Sequence, residues 1–279
     1  MIFSSPLRVS VSTWSLHRAL GVTYPDSPES PHRGERAETY GPGSITLLDV
    51  PARLAAMGIH TLEICHFHLP SRESAYLSEL KAALREAEVQ LFSLLIDTGD
   101  ITHPDHHARD REWIAGWIET AGKLGAERAR VVAGRQPCTE ETMRRSREGL
   151  RALAERGQAN GVRVTTENWY GLLERPRDVI ALLDSLEGRV GLNLDFGNWS
   201  GPTKYDDLAA IFPYAESCHA KCAFDAASIP DAADYRRCLD LARAAHFQGP
   251  FTLIYDGPDD DEWKMLQVER ELVLPYLAA

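Results

Sequence analysis

Residues 162–167 read Val-Arg-Val-Thr-Thr-Glu, and residues 190–195 read Val-Gly-Leu-Asn-Leu-Asp. Each stretch is a short apolar run that ends in an acid, and each is followed by a loop and a helix-like stretch. If both runs are parallel strands, Glu167 and Asp195 lie at the same pole of a sheet, because the carboxyl ends of parallel strands gather there. The two runs therefore predict a parallel α/β fold with an acidic site at one pole.

The same alternation of strand-like and helix-like stretches extends along nearly the whole chain. The predicted strands are Arg8–Thr13, Thr61–Cys65, Gln90–Ile96, Arg128–Ala133, Val162–Thr166, Val190–Leu194, Ser217–Cys222 and Phe251–Tyr255. Helical spacing of apolar residues predicts helices at Ser74–Ala87, Glu112–Leu124, Thr139–Asn160, Arg177–Leu186, Asp231–Ala245 and Glu262–Leu277. Because no two-residue hairpin signal separates the strands, we expect parallel pairing. Eight such strands favour a single closed (β/α)8 TIM barrel over residues 1–279.

Composition restricts the class of partner. The chain has 279 residues and a formal charge of −11 at pH 7, which disfavours nucleic acid as the main partner because phosphate binding needs clustered Lys and Arg. No stretch reaches the roughly 18 apolar residues of a membrane helix, and Met1–Val11 has no secretory pattern. The five cysteines include no CxxC motif and indicate reduced thiols. We therefore expect a cytoplasmic protein that associates with neither nucleic acid nor membrane.

One long segment interrupts the alternation. Residues 18–44 follow the first predicted strand and are rich in Pro, Gly, Ser and charged residues. A loop of that length in a compact domain is usually functional or disordered. Since it follows the carboxyl end of a strand, it is expected at the same pole as the acids. It is either a lid over an active site or an insertion without a role.

The seventh predicted strand adds a basic pair to the acids. His219 and Lys221 are two residues apart on one strand and therefore point to the same face. Because the strand follows those of Glu167 and Asp195 directly, we interpret His219 as a metal ligand rather than as a core histidine.

The motifs that carry a family resemblance lie on six of the predicted strands. They are Val9-Ser10-Val11-Ser12-Thr13-Trp14-Ser15, Gly58-Ile59-His60-Thr61-Leu62-Glu63, Thr165-Thr166-Glu167-Asn168, Gly191-Leu192-Asn193-Leu194-Asp195-Phe196-Gly197-Asn198, Cys218-His219-Ala220-Lys221 and Gly249-Pro250-Phe251-Thr252-Leu253-Ile254-Tyr255-Asp256. In this order and spacing they resemble the xylose isomerase-like TIM-barrel superfamily. That superfamily includes sugar phosphate isomerases and epimerases, ketose 3-epimerases, inosose isomerases and dehydratases, and endonuclease IV.

The resemblance implies one divalent metal ion held by Glu167, Asp195 and His219. The family's fourth ligand, a Glu on the eighth strand, aligns with Ile254, which cannot bind metal. Asp256 lies two residues further on and faces the same way, so we expect it to act as the fourth ligand or as a second acid or base. Carboxylate and imidazole ligands suit Mn²⁺, Mg²⁺ or Co²⁺, with Zn²⁺ as a further candidate.

The resemblance also implies catalytic and substrate-binding roles. Glu167 is the expected base, and Lys221 is expected to hold or polarise a substrate oxygen. Asn198 replaces a family His and can hydrogen-bond a hydroxyl but cannot act as an acid or base at neutral pH. The predicted substrate contacts are Glu63, His66, His68, Asn198, Trp14 and Trp169. Alternatives stay open: Glu63 can instead anchor Lys221 or form a buried ion pair, and either Trp can be ordinary packing.

These expectations combine into one leading function and three alternatives. We expect a metal-dependent isomerase or epimerase that acts on a small sugar, keto-sugar or polyol through an enediolate, with assembly into a homo-oligomer left open. The first alternative is a metal-dependent lyase or dehydratase acting on a keto-sugar or keto-inositol. An endonuclease IV-like nuclease would need more histidines, and the −11 charge opposes DNA. The last alternative is a sugar-binding barrel without activity.

Overall fold

A closed barrel of eight parallel strands forms the centre of the protein in the computed structural model, which describes residues 8–31 and 35–277. The strands are β1 (Arg8–Ser12), β2 (Thr61–Cys65), β3 (Gln90–Ile96), β4 (Arg128–Val131), β5 (Arg163–Glu167), β6 (Gly191–Asp195), β7 (Ala215–Lys221) and β8 (Pro250–Ile254). They pair in chain order, and β8 closes the barrel by pairing with β1 from Arg8↔Pro250 to Val11↔Leu253. The predicted (β/α)8 TIM barrel is confirmed.

Helices follow the strands and cover the outside of the barrel. They are α1 (His17–Leu20), α2 (Val50–Ala56), α3 (Ser74–Glu86), α4 (His107–Leu124), α5 (Glu140–Ala159), α6 (Pro176–Ser185), α7 (Lys204–Ile211), α8 (Ala232–Ala244) and α9 (Glu262–Leu277). Two differences from prediction stand out. Helix α4 begins at His107 rather than Glu112, because its first turns are polar and lack apolar spacing. Helices α1 and α7 have four and eight residues, too short for a periodic pattern.

Successive side chains of each strand point alternately outward and into the barrel. The outer face is apolar, and the interior of the barrel is polar. Outward residues such as Leu192 and Leu194 on β6 are fully buried and belong to the core between strands and helices. Residues of the other parity contact one another inside the barrel, as Ser217 donates to the Asn193 side chain at 2.7 Å. The strand interior is therefore built for polar contacts and not only for packing.

The long segment of residues 18–44 is attached to the carboxyl pole of the barrel, and residues 32–34 lie outside its described part. Thr23 and Ala37 form a backbone bridge with each other, and the amide of Tyr24 donates to the carbonyl of Phe67, just past β2. Asp26 accepts hydrogen bonds from the indoles of Trp113 and Trp117 on α4. These contacts tie the segment to the pole where the acidic strand ends lie.

Candidate metal centre

Three side chains from neighbouring strands converge inside the carboxyl pole of the barrel. Glu167 ends β5, Asp195 ends β6, and His219 lies on β7 directly opposite Asp195 in register. The Nδ1 atom of His219 lies 3.3 Å from Oε2 of Glu167 and 3.5 Å from Oδ2 of Asp195. One ligand atom from each residue lies within 4.8 Å of the others, and all three residues are buried. The structure thus brings together three of the four predicted metal ligands.

The donor chemistry of this triad fits a divalent cation. Two buried carboxylates that face each other repel unless a positive charge lies between them, and burying such charges is costly without a partner. Two carboxylates and one imidazole are a donor set that Mn²⁺, Mg²⁺, Co²⁺ or Zn²⁺ accepts, with open positions for substrate oxygens. The three side chains therefore fit the divalent metal ion that we predicted from the sequence.

The loop after β6 holds the carboxylate of Asp195 in a defined orientation. Its Oδ1 accepts from the amides of Gly197 at 2.6 Å and Asn198 at 3.1 Å, so Oδ2 is the oxygen turned toward His219. The side chain of Asn168 bonds both the amide and the carbonyl of Asp195. Asn168 therefore fastens the end of β6 to the loop after β5, which keeps the two acidic strand ends side by side.

Three neutral or cationic side chains hold Glu167. Its Oε1 accepts from Asn198 Nδ2 at 2.7 Å, and its Oε2 accepts from Asn193 Nδ2 at 3.0 Å. The Nε atom of Arg130 lies 3.2 Å from Oε2. Burial raises the pKa of Glu167, although the positive charges of Arg130 and His219 oppose this effect. Asn198, which we predicted as a substrate contact, thus orients Glu167 with its side chain and Asp195 with its backbone.

Glu63 on β2 completes the surroundings of His219 from across the barrel. The Nε2 atom of His219 lies 2.8 Å from Oε2 of Glu63, while Thr252 donates to Oε1 at 3.1 Å. Burial disfavours the imidazolium, but the charges of Glu167 and Glu63 outweigh it and raise the pKa of His219 to about 10. Glu63 therefore contacts His219, and the ion pair of Lys221 is formed with another acid.

That acid is Asp256, which lies apart from the triad. Lys221 Nζ donates to Asp256 Oδ2 at 2.8 Å, and the Asp256 side chain is 39% exposed. Among the described residues, the convergent acid and histidine group contains Glu167, Asp195 and His219 but not Asp256. The reason is geometric: β8 ends at Ile254, so Asp256 belongs to the loop beyond the strand and turns toward Lys221. The structure therefore places Asp256 beside Lys221 and not beside the triad, where we predicted it as the fourth ligand.

Sequence reasoning missed Arg130 and Asp97. Arg130 lies on β4 and is buried at 3% exposure, with Nη2 2.6 Å from Oδ1 of Asp97, just past β3. Its guanidinium also lies 5.4 Å from the centre of the Trp169 ring. The sequence does contain a feature that could have predicted them, because arginine occupies every second position of the run Arg128-Ala129-Arg130-Val131. Arginines on one face of a buried strand require partners inside the barrel.

A pocket of about 190 Å³ opens over the triad. Its described lining is Ser12, Trp14, Cys65, Phe67, Leu95, Asp97, Arg130, Glu167, Trp169, Asp195, Asn198, His219, Lys221 and Ile254. The lining thus includes Trp14, Trp169, Asn198 and Lys221 from the predicted set. The acids and Arg130 occupy the side formed by β3 to β7, and the side formed by β8, β1 and β2 is largely apolar.

Three predicted substrate contacts lie outside this lining. Glu63 contacts His219 from across the barrel. The His66 ring is buried against the rings of Trp113 and Trp117, at 5.5 and 5.3 Å. His68 contacts Thr13 Oγ1 through Nδ1 at 2.9 Å, and burial lowers the pKa of His68 to about 3. Both histidines belong to the short 3-10 turn His66–His68 that follows β2.

The chain belongs to the xylose isomerase-like TIM barrel family, whose model matches residues 51–269. The structure is similar to a D-allulose 3-epimerase from Methylomonas sp. solved with D-allulose (TM-score 0.70, 14% identity, 99% of each chain covered). It is similar to a xylose isomerase-like TIM barrel protein from Mycobacterium smegmatis solved with magnesium (TM-score 0.64, 17% identity, 97% of this chain and 98% of that one). It is also similar to a probable 3-DHS dehydratase from Bacillus anthracis (TM-score 0.70, 15% identity, 96% and 98% covered). Comparison with curated protein sequences gave no significant match.

At these identities the likeness to solved structures is one of fold. The three named proteins are an epimerase, a probable dehydratase and a TIM barrel protein that was solved with magnesium. Of the helices in the described ranges, none has the length and apolar character needed to cross a membrane.

Proposed function

We propose that this protein is a divalent-metal-dependent isomerase or epimerase that acts on a small sugar, keto-sugar or polyol through an enediolate. The observation that carries the proposal is the convergence of Glu167, Asp195 and His219 within 4.8 Å beneath an open pocket. When bound there, a divalent ion would polarise neighbouring carbonyl and hydroxyl oxygens of a substrate and lower the energy of the developing negative charge.

The chain's own residues supply proton transfer and orientation. Glu167 is the proposed base that takes a proton from carbon, and its raised pKa suits that task better than that of an exposed carboxylate. Asn198 holds Oε1 of this carboxylate at 2.7 Å, which limits its rotation. Lys221 lines the pocket with its ammonium group held by Asp256, so it is placed to bind a substrate oxygen or to give it a proton.

The size and walls of the pocket support a small substrate. A volume of about 190 Å³ corresponds to about six water molecules, which suits one small ring or an open-chain sugar and not a polymer. Trp14, Phe67 and Trp169 line it and offer aromatic faces to the C–H groups of a sugar.

The side of the pocket across from Glu167 favours chemistry with a single base. In an eight-strand barrel β1 and β2 lie across from β5, and they contribute Ser12 and Cys65 to the lining. Burial raises the pKa of the Cys65 thiol, so it is a poor base. Epimerisation by two bases on opposite faces is therefore less well supported than isomerisation. The same observation supports the second candidate, elimination of water, in which Glu167 removes a proton and Lys221 protonates the leaving hydroxyl.

We further propose that the described parts of the long segment, residues 18–31 and 35–44, cover the mouth of this pocket. The Tyr40 ring lies 4.4 Å from the His17 ring, and His17 lies 5.5 Å from Trp14, which lines the pocket. Loosening of the segment would therefore alter substrate binding, because the Tyr40, His17 and Trp14 rings connect the segment to the pocket.

The test combines metal binding with proton exchange. Protein freed of metal with a chelator is titrated with Mn²⁺ or Mg²⁺ by calorimetry, and the loaded protein is then incubated in deuterated water with ketoses and keto-inositols. We expect one bound ion and deuterium at a carbon beside the carbonyl, with exchange abolished in Glu167→Gln and kept in the exposed control Glu86→Gln. Bound metal without exchange in any ketose or keto-inositol would refute the proposal. Exchange accompanied by loss of water would select the lyase.

A further inference from the structure

Glu63 is buried beneath the pocket and does not line it. Its side chain is 1% exposed, and it comes from β2, on the other side of the barrel from β7. A buried carboxylate so far from solvent requires donors for its oxygens, because an uncompensated charge in the interior is strongly destabilising. The role of Glu63 can therefore be inferred from the groups that donate hydrogen bonds to it.

Within the described ranges, each oxygen of Glu63 has one hydrogen-bond donor. Thr252 Oγ1 lies 3.1 Å from Oε1, and His219 Nε2 lies 2.8 Å from Oε2. An ionised carboxylate can only accept hydrogen bonds. If Glu63 is ionised, the proton in the second contact belongs to Nε2 of His219, and the hydroxyl proton of Thr252 is directed at Oε1.

This assignment decides which nitrogen of His219 is available to a cation. In a neutral imidazole with its proton on Nε2, the lone pair is on Nδ1. That Nδ1 atom faces Glu167 Oε2 at 3.3 Å and Asp195 Oδ2 at 3.5 Å. The contact with Glu63 thus orients the ring so that its basic nitrogen joins the two carboxylates.

We propose that Glu63 is a positioning residue that holds His219 in the Nε2-protonated form and increases its strength as a metal ligand. The inference rests on the proposed metal site and adds a residue that does not contact metal or substrate. Loss of such a partner typically weakens metal binding about 10- to 100-fold.

The variant Glu63→Gln keeps the shape of the side chain but adds a donor. If its amide NH₂ faces His219, it favours the lone pair on Nε2 and the proton on Nδ1, where the proton opposes a cation. We expect Mn²⁺ affinity to fall about 10- to 100-fold in Glu63→Gln. Thr252→Val leaves Oε1 of Glu63 without its donor but keeps the contact with His219, so we expect a smaller loss. Ser93→Ala removes a buried hydroxyl from the strand next to Glu63 and serves as the control with unchanged affinity.

A spectroscopic readout separates positioning from a general loss of structure. In histidine labelled with ¹⁵N, the Nε2–H of His219 is expected as a downfield imidazole proton protected from exchange, assigned by its loss in His219→Gln. We expect this signal to move upfield and exchange faster in Glu63→Gln, and to persist in Ser93→Ala. An unchanged signal and unchanged Mn²⁺ affinity in Glu63→Gln would overturn the inference. If that variant does not fold, an unchanged signal and affinity in Thr252→Val would overturn it instead. Absence of Mn²⁺ binding by the parent protein would refute the proposed function, while the imidazole signal would still report on Glu63.

Discussion

Asp26 is a buried attachment of the segment of residues 18–44, and its replacement tests how that segment is held. The side chain is 5% exposed, and each carboxylate oxygen accepts one indole N–H, from Trp113 at 3.2 Å and from Trp117 at 3.0 Å. Asp26→Ala removes both acceptors. Asp26→Asn keeps one acceptor oxygen, so one of the two indoles loses its partner.

The magnitude follows from the exposure of the two indoles. Trp117 is 1% exposed, so its N–H would be left unpaired, at a cost of about 1.5–3 kcal/mol for a bond to a charged acceptor. Trp113 is partly exposed, and water can replace its partner at a cost of about 0.5–1 kcal/mol. Asp26→Ala should therefore lower the free energy of opening the segment by about 2–4 kcal/mol, and Asp26→Asn by about half of that.

Amide hydrogen exchange measures this opening directly. The amides of Thr23 and Ala37 donate to each other's carbonyls at 2.9 Å, and that of Tyr24 donates to Phe67 at 2.7 Å. A change of about 2–4 kcal/mol corresponds to exchange about 30- to 1,000-fold faster at these amides in Asp26→Ala. Amides of the barrel strands should be nearly unaffected. If the segment covers the pocket, KM should rise while kcat changes little.

Two results would refute this reasoning. Unchanged protection of Thr23, Tyr24 and Ala37 in Asp26→Ala would mean that other contacts hold the segment. Equal effects of the Asn and Ala replacements would mean that the charge of Asp26 matters rather than the number of its acceptors. The matched control is Glu29→Gln, which breaks the exposed ion pair between Glu29 of this segment and Arg109 of α4 and should leave the exchange of these amides nearly unchanged.

Three further predictions follow from single side chains. Burial holds the pKa of Glu269 well above its usual value, although the backbone amide of Cys222 and the charge of Lys221 oppose this effect. The folded protein therefore keeps a proton that the unfolded chain loses above about pH 4.3, and stability falls with rising pH by up to about 1.4 kcal/mol per unit. Glu269→Gln removes this loss, so thermal melting should show an advantage of the variant that grows as the pH rises above about 4.3, and a constant difference would contradict the assignment. Asn198→Ala frees Oε1 of Glu167 and should slow deuterium exchange into substrate about 10- to 100-fold at unchanged melting temperature, whereas full activity would show that Glu167 needs no such support. Ile254→Glu adds a carboxylate to the pocket lining and should tighten Mn²⁺ binding in calorimetry, whereas unchanged affinity would argue that the triad already saturates the ion.

Most of the fold could be predicted because it depends on local patterns. The runs that end in Glu167 and Asp195 alternate with helical spacing, and alternation of this kind leads to parallel strands with their carboxyl ends at one pole. The order of the strands predicts that the ends carrying Glu167, Asp195 and His219 are neighbours, and the family resemblance identified these residues as metal ligands. Helices α1 and α7 escaped prediction because short elements carry too little periodicity.

The partners of the site residues could not be predicted in the same way. A chain position indicates which face of a strand a residue occupies, but not which residue meets it across the barrel. Glu63 and His219 are 156 positions apart, and their contact depends on the tilt and stagger of the closed barrel. The same holds for Arg130, which is locally an ordinary strand residue and becomes the partner of Asp97 and Glu167 only once β3, β4 and β5 lie side by side.

Local patterns in the chain were enough to predict the barrel and the pole at which its polar strand ends meet, and the family resemblance added the three side chains of the candidate metal centre. The folded barrel was needed to show that Glu63 contacts His219, that Asp256 holds Lys221 outside the triad, and that His66 and His68 lie outside the pocket lining. The physical reason is that strand periodicity and strand order are properties of the chain. Contacts between side chains depend on distances of a few ångströms, which only the closed and fully packed barrel defines.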